Sequence, residues 1–290
     1  MRVEDIQKVC VLGAGAMGAG IAQVCSQAGF AVAMRDIEQR FVDAGFKRIR
    51  GPLMKRVEKG KMTVEEVEEI VARIHGTTDI ATAVKGAQLV IEAVPEKMEL
   101  KKQVWTEAER ACPPDVVFAS NTSSLSITEM AAATKRPDRF VGTHFFNPAP
   151  VIKLVEVIRG SETSKDTVAF ARAFCVKIGK DPVEVKESPG FVVNRLLVPM
   201  MNEAFNLLME SVASPEDIDK AMKLGTNMPM GPFELADFTG LDIGLDTMET
   251  LFRETGDPKF RPSPLLRQYV RAGRLGRKSG KGVYEYAPSP

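Results

Sequence analysis

A glycine-rich turn near the start of the chain constrains its fold more than any other feature. Residues 8–12 form a short apolar run. Gly13-Ala14-Gly15-Ala16-Met17-Gly18 follows as G-x-G-x-x-G, and 17–28 has helical patterning before a second apolar run at 31–34. Strand, glycine turn, helix and strand within about 30 residues make a βαβ unit. Each glycine has its own task. The first makes the tight turn, the second lets backbone approach a pyrophosphate, and the third lets helix pack on strand. The helix start at Gly15, Ala16, Met17 and Gly18 would then offer N–H groups and a positive dipole end to phosphates. Asp36 ends the second strand, 23 residues after Gly13, where an acid accepts from ribose hydroxyls. A carboxylate there repels a 2′-phosphate, so Asp36 favours NAD over NADP. Arg35 and Arg40 flank it and weaken that preference; they read as surface charge.

Further strands are expected at 88–94, 116–119, 140–146, 154–158 and 183–185, with helices between several of them. Apolar, non-alternating strands of this kind predict a doubly wound, mostly parallel sheet covered on both faces. Residues 38–58 and 64–74 read as a helical pair split by Lys59-Gly60-Lys61. Thr63 and Glu66 have capping-box spacing. The pair is expected to interrupt the sheet after strand two. His75 falls at the end of the second helix and reads as a capping or solvent residue. The pattern changes at Lys186-Glu187-Ser188-Pro189-Gly190. Beyond it helices are expected at 191–209, from Ser214-Pro215 onward, at 233–252 and at 264–272. The chain thus divides into a Rossmann-type α/β domain with a helical-pair insert, residues 1–186, and an all-α domain, residues 187–290.

Composition excludes some partners. Lys+Arg 39 against Asp+Glu 38 leaves a net charge of +1, which argues against a general nucleic-acid binder. No apolar run approaches the roughly 18 residues of a membrane span, and the N-terminus lacks a signal-peptide apolar stretch. Four cysteines form no CxxC, zinc or disulfide pattern, and Cys10 and Cys25 lie in apolar runs. A reducing cytoplasm fits, and no metal site is expected.

The chain has 2 histidines. His144, in Gly142-Thr143-His144-Phe145-Phe146-Asn147-Pro148, closes a strand at the edge where open α/β sheets bind ligands. Three features mark its surroundings. Ser120-Asn121-Thr122-Ser123-Ser124 is a polar burst at another strand's end. Glu156 is a carboxylate inside the apolar run Leu154-Val155-Glu156-Val157-Ile158, where it needs a partner, and a histidine is a natural one. Asn194 begins the second domain's long helix.

Taken together, GAGAMGAGIAQ, SNTSSLSIT, HFFNPAPVIKLVEVI, SPGFVVNR, KLGTNMPMGPFELAD and GRKSGKGVYEY resemble the blocks of the L-3-hydroxyacyl-CoA dehydrogenase family, on its short-chain bacterial 3-hydroxybutyryl-CoA side. The resemblance runs from about residue 8 to residue 286. It implies a Rossmann-type domain, a helical domain through which the chain forms a homodimer, NAD as cofactor and an acyl-CoA substrate. It places the catalytic pair on His144 and Glu156, the family's serine on Ser123 and its asparagine on Asn194. Cofactor contacts carry over to the glycine turn, Asp36, Glu96 and Lys101, with Ser123 and Asn147 at the nicotinamide end and Lys278 contributing.

From Lys47 to Lys61 there are seven basic residues opposed only by Glu58. They form either a solvated helix face or an anion site for coenzyme A phosphates; Lys55, Arg56 and Lys59 are the candidates, Lys59 first. Two further readings stay open: a dehydrogenase of small β-hydroxyacids without coenzyme A, and a non-catalytic dinucleotide-binding structural or sensor protein. The first of these would use a lysine in the helical domain, and the intact His144, Glu156, Ser123, Asn194 set argues against the second.

Overall fold

The computed structural model describes residues 2–287, which separate between Ser188 and Pro189 into two compact units. The first contains β1 (Lys8–Leu12), α1 (Ala16–Gln27), β2 (Ala31–Arg35), α2 (Gln39–Glu58), α3 (Val64–Ala72), β3 (Ile74–Thr77) and α4 (Ile80–Val84). There follow β4 (Leu89–Glu92), α5 (Met98–Ala111), β5 (Val117–Ser120), α6 (Ile127–Ala132), β6 (Phe140–Phe145), β7 (Leu154–Arg159), α7 (Lys165–Lys177) and β8 (Asp181–Lys186). One eight-stranded sheet has the order β3-β2-β1-β4-β5-β6-β7-β8. Every neighbouring pair is parallel except β6 and β7.

All residues of β4, β5 and β6 are buried. That is why these strands read as unbroken apolar runs: both faces of the sheet are covered. Val9, Val11, Ile21, Leu89, Ile91 and Val141 lie in one continuous core. Cys10 and Cys25 are wholly buried, and burial pushes both thiols far above their ordinary range. From β1 the chain runs outward to β2 and β3, then crosses back to β4 on the other flank of β1. The carboxyl ends of β1 and β4 therefore flank the switch point where ligands of such sheets bind.

The expected helix over 64–74 is corrected at its end. Helix α3 stops at Ala72, and β3 pairs in parallel with β2 as the outer strand, carrying His75 within it. Four residues with a glycine among them hold too little pattern to show as a strand. Their signal is tertiary: a Cβ on Gly76 would lie 2.5 Å from Val42 and 2.7 Å from Phe46 of α2. The helical pair is thus the crossover from β2 to β3 rather than an interruption. The Thr63 capping box forms as expected, with Thr63 N donating to Glu66 at 2.7 Å and Glu66 N to Thr63 Oγ1 at 3.2 Å.

In the second unit lie α8 (Val193–Met209), α9 (Pro215–Thr226), α10 (Pro232–Thr239), α11 (Leu241–Thr255) and α12 (Pro264–Arg271). Phe205, Phe233, Met248, Leu251 and Phe260 anchor its own core. Ser214 caps α9 through Asp217 N, as the Ser-Pro signal implies. The single helix expected at 233–252 is two. Gly240 adopts φ +108°, a conformation other residues rarely take, and turns the chain between α10 and α11. The GRKSGKGVYEY segment also has a structural cause. The buried Asp237 carboxylate accepts from Val283 N and Tyr284 N, each at 2.9 Å, and from the Tyr286 hydroxyl at 3.0 Å. Among the described residues no helix is long and apolar enough to cross a membrane.

Candidate active site

The glycine turn has the geometry its spacing implies. A Cβ on Gly13 would stand 2.6 Å from Ala93 O, and one on Gly18 would stand 1.9 Å from Gly13 O. Turn, strand end and helix start therefore close on one another without side chains between them. Gly15 differs: a Cβ there meets nothing within 4 Å. Gly15 and Ala16 are exposed and Met17 is half-buried, so the start of α1 opens outward. Its first turn carries no acid that would oppose an anion. The Asp36 carboxylate accepts from Ala14 N and from Ile37 N, each at 2.7 Å. Each oxygen keeps a lone pair for a diol. Phosphate cradle, open backbone and ribose acceptor fit a dinucleotide. The flanking arginines are occupied, Arg40 on Glu38 and Arg35 on the Thr78 carbonyl. A different arginine approaches the turn: Arg48 Nη1 lies 3.5 Å from Ala14 O.

Next to the switch point is a dense polar network that the sequence reading caught only in part. Lys101 is fully buried on the first turn of α5. Its Nζ donates to Glu92 at 2.6 Å and to Val94 O at 3.3 Å, and lies 3.3 Å from Glu96. Two of these are hydrogen bonds and the third, to Glu96, is an ion pair. Glu92, also fully buried, accepts in addition from Val94 N at 2.7 Å and from Ser120 Oγ at 2.6 Å. Glu96 Oε1 takes Thr122 Oγ1 at 2.5 Å, Ser123 N at 2.7 Å and Ser124 N at 3.1 Å. Glu96 and Lys101 are thus brought together with Ser123, and the loop bearing Ser123 is held by its backbone.

His144 and Glu156 face each other across the antiparallel pair β6–β7. The connection turns the chain back so that residues 12 apart become direct partners, with Nδ1 to Oε2 at 2.8 Å. The histidine is 4% exposed and the glutamate 1%. An ionised carboxylate can only accept, so this contact calls for the ring proton on Nδ1. Asn121 joins this pair to the serine loop. Its Oδ1 accepts from Phe145 N at 2.9 Å, while its own N–H donates to Glu92 O at 2.7 Å. Asn147 lies exposed just beyond β6.

Asn194 and Lys278 belong to the second unit. Asn194 is in the first turn of α8, and Lys278 Nζ donates to Asp242 at 2.6 Å. In the basic stretch, Lys55 and Arg56 occupy the last turn of α2 and Lys59 is its C-cap, all exposed. Arg50 is spent on Glu68 at 2.5 Å. Glu92 and Asn121 escaped the sequence reading. For Glu92 the signal was present, a carboxylate at the end of an apolar strand, akin to Glu156 inside one. Among the described residues no group of three or more His, Cys, Asp and Glu could hold a metal ion.

Residues 8–188 match the family description "3-hydroxyacyl-CoA dehydrogenase, NAD binding domain", and residues 190–286 match "3-hydroxyacyl-CoA dehydrogenase, C-terminal domain". A Bacillus subtilis protein named "Probable 3-hydroxybutyryl-CoA dehydrogenase" is 51% identical over 97% of this chain and 98% of its own. The Clostridioides difficile "3-hydroxybutyryl-CoA dehydrogenase" is 47% identical over 96% of this chain and 99% of its own. The crystal structure of (S)-3-hydroxybutyryl-CoA dehydrogenase from Ralstonia eutropha superposes with a TM-score of 0.93 at 49% identity, covering 98% of this chain and 100% of that one.

The glycine turn yields a paired prediction. Gly18→Ala forces a methyl into Gly13 O and should lower the melting temperature sharply, by several degrees or more. Gly15→Ala meets open space and should melt within about a degree of the parent, yet weaken dinucleotide binding at least about tenfold by standing where phosphate approaches. Thermal melts with cofactor titration check both; unchanged affinity in Gly15→Ala would deny the turn its phosphate role.

Proposed function

The chain belongs to the 3-hydroxyacyl-CoA dehydrogenase family, and from that membership we propose how its own residues carry out the family's reaction. The reaction is NAD-dependent oxidation of (S)-3-hydroxyacyl-CoA to 3-oxoacyl-CoA, reversibly. The observation that carries the residue assignment is the buried pair of His144, near the carboxyl end of β6, and Glu156 on β7. His144 Nε2 takes the proton of the C3 hydroxyl, and in the reverse direction returns it to the alkoxide. Glu156 holds the tautomer through Nδ1 and stabilises the imidazolium; such general-base assistance contributes roughly 10²–10⁴ in rate. NAD, when bound, accepts the hydride from C3. Ser123 hydrogen-bonds the C3 oxygen and keeps it in line, and Asn194 takes the family asparagine's role. Gly13, Gly15, Ala16, Met17 and Gly18 seat the diphosphate, and Asp36 selects NAD over NADP. Glu96, Lys101, Asn147 and Lys278 remain cofactor assignments by family.

We read the acyl chain as short, a reading supported by the relatives named 3-hydroxybutyryl-CoA dehydrogenase. The functional unit is a homodimer in the cytoplasm, joined through the second unit. In support, Leu196 on α8 is 71% exposed, and the four cysteines are free. NADH formation from (S)-3-hydroxybutanoyl-CoA tests the activity. The free acid should be a poor substrate, because remote coenzyme A contacts help position C3. Equal turnover of acid and thioester would remove the coenzyme A part.

His144→Gln should keep NAD binding and lower kcat by orders of magnitude. Glu156→Gln should also lower kcat, since an amide stabilises an imidazolium less well. Glu156 acts through the histidine, so the double variant should be little worse than His144→Gln alone. Losses that multiply would make Glu156 a structural residue.

Lys55, Arg56 and Lys59 bind the coenzyme A phosphates. Lys59→Ala combined with Arg56→Ala should raise the acyl-CoA KM and leave kcat and the NAD KM nearly unchanged, the mark of lost uniform binding. An unchanged acyl-CoA KM at low salt would return the cluster to helix-end charge, where cations also complement the dipole of α2.

A further inference from the structure

We propose that Glu92 is a positioning residue for the reaction: through Lys101 it keeps the Glu96 carboxylate on the loop that carries Ser123. The proposal rests on the reading of Ser123 as a substrate-facing group. A buried ion pair contributes little to stability by itself, because desolvation offsets its attraction and well-packed apolar residues often do as well. The pair formed by Glu92 and Lys101 is fully buried, with both side chains at 0% exposure. What it does that an apolar pair could not is fix an ammonium at one point.

From that point Lys101 reaches a second carboxylate. Its Nζ is 2.6 Å from Glu92 Oε1 and 3.3 Å from Glu96 Oε2. Two carboxylates therefore share one cation, and the shorter contact goes to Glu92. This division leaves Glu96 Oε1 on the loop, where it holds Thr122, Ser123 and Ser124. The opposite end of the same loop is tied to Glu92 as well, since Ser120 Oγ donates to Oε2 at 2.6 Å and Asn121 N donates to the Glu92 carbonyl at 2.7 Å. Both ends of the segment 120–124 thus run back to Glu92, to its carboxylate directly through Ser120 and indirectly through Lys101 and Glu96, and to its backbone carbonyl through Asn121. Removing the Glu92 charge gives Lys101 a single anionic partner. Glu96 then turns toward the ammonium and away from the N–H groups of Ser123 and Ser124, and the serine loses its register with His144.

The test is a double-mutant cycle in the full-length enzyme, with kcat and both KM values measured for NAD and (S)-3-hydroxybutanoyl-CoA. Glu92→Gln keeps the shape and removes the charge; it should lower kcat about tenfold with the acyl-CoA KM within about twofold. Ser120→Ala removes only the hydroxyl that steadies Glu92, and should lower kcat in the same sense by a smaller factor. In a Ser123→Ala background each should cost less than about twofold more, because the residue they position is gone. Kcat losses that multiply with that of Ser123→Ala, or unchanged kcat in both Glu92→Gln and Ser120→Ala, would overturn the proposal. If Glu92→Gln fails to fold, the Ser120→Ala cycle decides by the same criterion. A Ser123→Ala enzyme with parental kcat would instead overturn the reading of Ser123, a result distinct from the other two.

Discussion

Two carboxylates sit wholly inside the sheet, Glu92 on β4 and Glu156 on β7, and the cost of burying them orders the chemistry around them. An ionised carboxylate taken out of water needs charge-assisted partners or it loses several kcal/mol. Each finds a basic group: Lys101 Nζ at 2.6 Å for Glu92, and His144 Nδ1 at 2.8 Å for Glu156. The two solutions differ in the basic group. The Lys101 ammonium is held between two carboxylates. An imidazole has two ring nitrogens, and its ordinary titration range lies near neutrality, so of the two basic groups it is the one suited to exchanging a proton.

That second arrangement depends on the one reversal of strand direction in the sheet. Parallel neighbours such as β1 and β4 come from connections that cross over, so directly opposed residues are far apart in the chain. Because β7 runs against β6, a short connection brings residues 12 apart into direct opposition. The antiparallel pair also places His144 one residue before the end of β6, beside Phe145, whose N–H is held by Asn121. The serine loop and the histidine strand are therefore joined through one backbone amide, that of Phe145, which helps to set their register.

What was legible in the sequence follows the range of the interactions involved. The βαβ unit, the Thr63 box and the Ser214 cap are local, so spacing alone revealed them. The His144–Glu156 pair was legible because burying a carboxylate in an apolar strand is a conflict that only a partner resolves. β3 was not legible, because its four residues become a strand only through pairing with β2. Nor was the break between α10 and α11: Gly240 in a helical pattern is tolerated as often as it ends one, and here the chain's return at φ +108° decides. Asn121 read as one polar residue among five in Ser120–Ser124. Its role depends on Phe145, 24 residues on, which no local pattern encodes.

The same logic of consumed and available charge bears on the seven cations of residues 47–61. Arg50 has both terminal nitrogens on Glu68, and Arg48 leans on the Ala14 carbonyl of the glycine turn. Lys55, Arg56 and Lys59 gather at the far end of α2, where the backbone carbonyls already present partial negative charge. A helix end of this kind holds exposed cations at little cost, so their clustering does not by itself require a ligand. Phosphates are favoured there because three cations within one turn place several unit charges within a Debye length of about 8–10 Å. The two explanations therefore differ in ionic-strength dependence: a helix-end role touches stability alone, whereas a phosphate role makes substrate capture weaken with salt.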